Sequence, residues 1–140
     1  MVNIKDVTDG NMNGQTVWIC DLRYNNYNEK PIRNIKPTKV LIRDNNETNK
    51  KIYYSSSHFV GLNKKNQPIK SKVIAVYDNT GYRSITGTPL NCFLSENECV
   101  QYYKKQLEIA IKGLKYYKAS MIIEVDEKIS KLEKEFQCII

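Results

Sequence analysis

The sequence contains one histidine, and this scarcity limits the chemistry that the chain can perform. No H-E-x-x-H, phosphate-binding glycine loop or dinucleotide fingerprint occurs in the 140 residues. A Ser/His or Cys/His catalytic pair would have to use His58. Because an isolated histidine is more often a surface or core residue than a catalyst, we expect a protein that is not an enzyme. We predict no catalytic residue and no cofactor.

The sequence also lacks closely spaced cysteines and long apolar runs. Its cysteines, at positions 20, 92, 99 and 138, form no C-x-x-C pair, so no metal site is predicted. No apolar run approaches the roughly 18 residues of a membrane span, and the first residues do not resemble an export signal. We therefore expect an intracellular protein, with reduced thiols in a cytoplasm.

The net charge of +7 is confined to the N-terminal two-thirds of the chain. Residues 95–140 carry eight acidic and eight basic side chains and contain no arginine, so the whole excess lies in residues 1–94. Such asymmetry indicates an anionic partner, which can be a nucleic acid, a nucleotide or an acidic protein. The alternative is that the charge serves solubility alone.

Short β-branched and aromatic segments separated by turns characterise the basic part of the chain. We expect a flexible leader over residues 1–14 and a basic antiparallel β domain, a small sheet or barrel, over residues 15–94. Pro37 is expected to separate a short extended piece from the next strand. A loop is expected over residues 61–68. The predicted strands and extended pieces are 16–24, 32–35, 38–43, 51–55, 72–77, 82–86 and 90–93.

A helical pattern begins at Ser95, where Ser95 and Glu98 form a capping box. We expect a helical region over residues 95–137, roughly 60 Å long if it is continuous. Apolar residues recur at spacings of three and four, and we call them the apolar stripe: Leu107, Ile111, Leu114, Met121, Val125, Ile129, Leu132 and Phe136. The complete prediction is an α+β fold.

Residues 1–94, which we call the head, are too few to cover a helix of that length, so the distal stripe must pack against another helix. The chain can turn back near residues 118–120 to form a helical hairpin, or it can pair with a second chain. The mixed charges that flank the stripe resemble a coiled coil. We favour a homodimer or higher homo-oligomer.

The segment 78–91 is the most distinctive candidate for ligand binding. Its glycines and hydroxyl side chains can present hydrogen-bond donors to phosphate oxygens. Arg83 can bind a phosphate with two parallel bonds, and Tyr82 offers a face for stacking of a base. The alternative is a plain hairpin turn. The candidate ligand residues in this segment are Asn79, Tyr82, Arg83, Thr86, Thr88 and Asn91.

Arg23 and Arg33 are a second candidate group. Each can be a phosphate ligand, or an ordinary charge on the surface of a strand. Arg23 is included in the predicted ligand site.

The segments 17–24, 30–34 and 78–84, together with Asn91, resemble the phage Thoeris anti-defence sponge proteins of the first type. The resemblance covers about residues 15–137 and implies a small N-terminal antiparallel sheet with C-terminal helices that pair in an oligomer. It implies binding and sequestration of a cyclic ADP-ribose isomer, and in some members of cyclic oligonucleotides, without cleavage. Such a protein would act in the cytoplasm of an infected bacterial host.

The resemblance also suggests roles for individual residues. Tyr82 and Asn91 stand for the aromatic residue and the asparagine of the family site. The helix arginines of the family have no counterpart here, and the possible replacements are Lys104, Lys105, Lys112 and Lys115, of which Lys112 joins the predicted site. Two rival functions remain open, a basic nucleic-acid-binding module and a protein-interaction inhibitor of a host factor.

Overall fold

The computed structural model describes residues 1–24, 31–47, 55–77 and 89–138. A five-stranded sheet is followed by one long helix, so the predicted α+β fold is confirmed. In chain order the elements are α1 Ile4–Thr8, β1 Thr16–Tyr24, β2 Pro31–Asp44, a 3₁₀ turn Asn45–Glu47, β3 Ser57–Leu62, β4 Pro68–Ile74, β5 Asn91–Phe93 and α2 Glu96–Cys138.

The sheet is antiparallel, with the strand order β4-β3-β2-β1-β5. The first four strands pair with their neighbours in sequence. The last strand, β5, returns to the free edge of β1, where Trp18 lies opposite Phe93. The basic part of the chain and the start of α2 therefore meet at this edge.

Pro37 does not end a strand as the sequence predicted, because it lies inside the continuous strand β2. The pairing of β1 with β2 shifts at this point. Ile19 lies opposite Thr38 and Asp21 lies opposite Ile35, so two residues of β2, Lys36 and Pro37, oppose the single residue Cys20 of β1. A bulge of this kind accommodates proline, because a residue in the bulge does not have to donate a backbone N–H to the neighbouring strand. By contrast, β1 has the bounds that were predicted from its β-branched and aromatic residues.

The expected positions of the next strands require correction. Strand β3 follows the predicted strand 51–55 and extends into the predicted loop 61–68, and β4 begins before the predicted strand 72–77. Five consecutive residues of β3, from Ser57 to Gly61, are buried, so the strand shows no alternation of polar and apolar side chains. The predicted strands 51–55 and 82–86 lie largely or wholly outside the described residues.

The first fourteen residues pack against the sheet instead of forming a flexible leader. Asn3 caps α1 by accepting a hydrogen bond from the backbone N–H of Lys5 at 3.0 Å. Val7 is fully buried in the core, and the N–H of Val2 donates to the carbonyl of Cys92 at 2.8 Å. This short helix thus covers one face of the sheet.

Two apolar cores lie on opposite faces of the sheet. The first joins α1 to the strands through residues such as Val17, Ile19 and Phe59. The second joins the start of α2 to β1 and β5 and consists of Cys20, Leu22, Phe93, Cys99 and Tyr103. Odd-numbered residues of β1 therefore face α1, and even-numbered residues face α2.

Helix α2 begins as predicted, because the N–H of Glu98 donates to Oγ of Ser95 at 3.2 Å. The helix continues without a break through residues 118–120 to Cys138. The alternative of a helical hairpin is therefore wrong. The apolar stripe is exposed along its length, from 36% at Leu107 to 73% at Phe136. No helix among the described residues has the length and apolarity needed to cross a membrane.

Candidate anion-binding site

Two arginines and one aspartate meet where β1 pairs with β2. Arg23 lies directly opposite Arg33 in the register of the two strands. Asp21 precedes Arg23 by two residues, so its side chain projects from the same face of β1. This is the face that carries α1, beyond the apolar residues Val17 and Ile19. We call Asp21, Arg23 and Arg33 the arginine cluster.

The carboxylate of Asp21 holds the two guanidinium groups together. Its Oδ2 lies 2.7 Å from Nε of Arg33 and 3.1 Å from Nε of Arg23. Arg23 Nε also donates to Asp21 Oδ1 at 3.2 Å. The contact with Arg33 is an ion pair without hydrogen-bond geometry. The side chain of Asp21 is 4% exposed, whereas those of Arg33 and Arg23 are 15% and 23% exposed.

The cluster has more positive than negative charge. One carboxylate faces two guanidinium groups in a partly dehydrated setting, and both arginines also make further contacts. Burial of Asp21 is tolerated because both arginines compensate its charge. A guanidinium group carries five N–H donors in a planar fork, a geometry that matches phosphate oxygens. The partial exposure of the two arginines gives an anion access to this surface.

Tyr77 and Pro89, which flank segment 78–88, lie beside the cluster. Arg23 Nη2 donates to the carbonyl of Pro89 at 3.3 Å, and Pro89 forms a β-bridge with Tyr77. The residues that flank the segment are therefore fixed next to Arg23. The predicted ligand residues within it lie outside the described residues: Asn79, Tyr82, Arg83, Thr86 and Thr88.

The structure does not place the remaining predicted ligand residues together. Asn91 pairs with Cys20 in the sheet, so its side chain is on the α2 face, opposite that of Arg23. Lys112 is exposed on α2. It follows Ala110, which is the last residue of the helix that packs against the second core. Of the described candidates, only Arg23 and Arg33 lie in one cluster.

The carboxylate between the two arginines was not included in the predicted ligand site. The spacing of Asp21 and Arg23 places both on one face of a strand, and this signal is visible in the sequence. Their approach to Arg33 depends on the register and the bulge of β2.

On the other face of the sheet, Asn34 accepts a hydrogen bond from the hydroxyl of Tyr103 at 2.7 Å, which connects β2 to α2.

The single histidine is buried within the head. His58 is 1% exposed, and its Nδ1 lies 3.1 Å from Oδ1 of Asn45. Burial is the main cause that lowers the pKa of His58 below its ordinary value, and this favours the neutral ring. A buried, hydrogen-bonded position of this kind fits a structural role.

Three of the four cysteines are buried, Cys20 and Cys92 in the sheet and Cys99 at the start of α2. Burial raises the pKa of Cys92 to about 12 and also raises the pKa values of Cys20 and Cys99. Cys138 is exposed near the end of α2. Within the part of the chain that the structure describes, no group of three or more His, Cys, Asp or Glu residues could hold a metal ion.

Comparison with models of protein families, with curated proteins and with solved structures finds no match.

Proposed function

We propose that the protein binds a small phosphate-bearing ligand of the cyclic nucleotide class on its head and holds the ligand without cleaving it. The resemblance to the Thoeris anti-defence sponge proteins implies that this ligand is a cyclic ADP-ribose isomer or a cyclic oligonucleotide. Its sequestration in the cytoplasm of an infected host would block Thoeris-type immunity. The arginine cluster is the observation on which this proposal rests.

The position of the cluster supports recognition of phosphate. Arg23 and Arg33 both contact the carboxylate of Asp21, so their guanidinium groups lie close together, and Arg23 also donates to the carbonyl of Pro89. A ligand that contacts both arginines would therefore lie next to Pro89. The guanidinium groups would bind its phosphate with parallel hydrogen bonds.

Preorganisation of the two arginine side chains lowers the entropy cost of binding a ligand. Asp21 restricts both arginine side chains before any ligand arrives, and a long flexible side chain loses about 0.5–1.5 kcal/mol of freedom when it is immobilised at an interface. The head also carries the whole net charge of +7, which attracts anions to its surface.

Calorimetry with cyclic ADP-ribose isomers and with cyclic di- and trinucleotides tests the proposal. We expect one of these ligands to bind the wild-type chain, and Arg33→Ala and Arg23→Ala to weaken binding by at least tenfold. Arg43→Ala is the matched control, because Arg43 also lies on β2 but pairs with Glu47 at 3.4 Å, away from the cluster. Absence of binding to every nucleotide, or equal loss in Arg43→Ala, would contradict the proposal.

A second candidate function is binding of nucleic acid, which the β3–β4 hairpin favours. Residues 57–77 contain no Asp or Glu, and four exposed lysines lie in this hairpin, at positions 64, 65, 70 and 72. Lysines on an edge strand also prevent sheets from pairing edge to edge. Retention on single- or double-stranded DNA that falls steeply with salt, and that is lost in Lys70→Ala/Lys72→Ala, would favour this second function.

A further inference from the structure

The apolar stripe of α2 has no partner within the described chain. The sheet contacts only the start of the helix, through residues such as Cys99 and Tyr103. The eight residues of the stripe are about half exposed on average. With full side-chain areas of about 200 Å², they present roughly 800 Å², and a standard protein interface buries about this area on each partner.

The charge of α2 is divided between its two halves. Residues 104–118 contain five lysines and one acidic residue, whereas residues 124–135 contain five acidic residues and three lysines. A parallel pair of helices would place the two basic halves side by side. An antiparallel pair would place each basic half against the acidic half of the other helix, which complementary charge favours.

Lys118 strengthens this argument because it lies in line with the stripe, between Leu114 and Met121. In a parallel pair in register, Lys118 would face its own copy. When two stripes overlap fully in antiparallel orientation, Leu107 lies opposite Phe136, and Lys118 lies opposite Val125. The neighbours of Val125 in sequence are Glu124 and Asp126. The same side chain is therefore repelled in one orientation and compensated in the other.

We propose that the stripe binds a second copy of this chain in antiparallel orientation. The two basic heads then lie at opposite ends of the helix pair, and the acidic end of each helix lies near the head of the other chain. This inference does not depend on the ligand of the proposed function, so either can fail without the other.

Disulfide trapping between chains tests the orientation. The test uses Ile111→Cys and Leu132→Cys, each combined with Cys138→Ser, because full antiparallel overlap places these two positions opposite each other. We expect a crosslinked dimer when the two variants are mixed, and little when each is oxidised alone. The three buried cysteines should not form disulfides between chains. Efficient crosslinking of each variant alone would show a parallel pair and overturn the proposal.

The wild-type chain supplies an independent check. In the antiparallel pair the two Cys138 thiols are about 50 Å apart along the helix axis, so oxidation should give no disulfide-linked dimer. Rapid formation of that dimer through Cys138 would overturn the proposal.

Sedimentation equilibrium tests whether the dimer exists. We expect a dimer for the wild-type chain, and a dissociation constant at least tenfold higher for Leu114→Glu. Tyr116→Glu is the control, because Tyr116 is 77% exposed and lies away from the stripe. Circular dichroism would confirm that both variants keep their sheet. A wild-type monomer at 100 µM, or equal weakening by both substitutions, would overturn the proposal.

Discussion

Replacement of Asp21 by Asn should reveal the balance of charge in the arginine cluster. The carboxylate is 4% exposed and compensates two guanidinium groups that are themselves mostly buried. Asparagine has nearly the same shape but no charge, so the variant removes the negative charge that both guanidinium groups contact. Removal of one partner from a buried ion pair typically costs about 3–5 kcal/mol. We expect a loss near the lower end, about 3 kcal/mol, because both arginines keep some contact with water.

Urea unfolding monitored by fluorescence provides the measurement. Trp18 is the only tryptophan, and it packs against the second core on β1, the strand that carries Asp21. The emission of Trp18 should therefore report the unfolding of β1. A loss of about 3 kcal/mol would lower the melting temperature by roughly 10 °C in a chain of this size.

A control and an added anion make this prediction specific. Asp9→Asn removes an exposed carboxylate from the head and should change the free energy of unfolding by less than about 0.5 kcal/mol. Phosphate should stabilise Asp21→Asn more than the wild-type chain, because it replaces the missing negative charge. A loss below 1 kcal/mol, or equal stabilisation of both proteins by phosphate, would refute the argument that Asp21 compensates the arginines.

Three further predictions concern other parts of the molecule. Because burial lowers the pKa of His58, the unfolded chain binds a proton more readily than the folded chain, so stability should fall as the pH drops below about 6.5; urea midpoints that stay constant between pH 7 and 5.5 would contradict this. A thiol reagent should modify Cys138 quickly and the buried cysteines only after unfolding, so four fast thiols would show that the cores are open. Gly113→Ala should stabilise the chain by about 1 kcal/mol, since a Cβ at Gly113 meets no atom within 4 Å; a lower melting temperature would be the contrary result.

The sequence predicts those elements whose signals are local. The β-branched and aromatic residues of β1 and the cap at Ser95 predicted the bounds of the strand and the start of the helix. The extent of the helical region also followed from its spacing of apolar residues, but its continuity through residues 118–120 did not. Each of these signals depends on neighbours within one turn or one strand, so no knowledge of the rest of the fold is needed.

Other features depend on contacts between distant parts of the chain. Pro37 suggested a break in β2, but the bulge opposite β1 accommodates it. The polar residues 1–14 predicted a leader, but Val7 belongs to the first core and packs this segment against the sheet. The arginine cluster requires the exact register of β1 and β2, which a pattern along one strand does not specify.

Recovery of the ligand after binding tests the central proposal most directly. The wild-type chain would be incubated with the cyclic nucleotide that binds in calorimetry, separated from free ligand, and denatured by heat. Chromatography and mass spectrometry would then identify what is released. The proposal predicts stoichiometric release of the intact cyclic nucleotide from the wild-type chain and little from Arg33→Ala. A linear or hydrolysed product, or no retained nucleotide, would contradict sequestration.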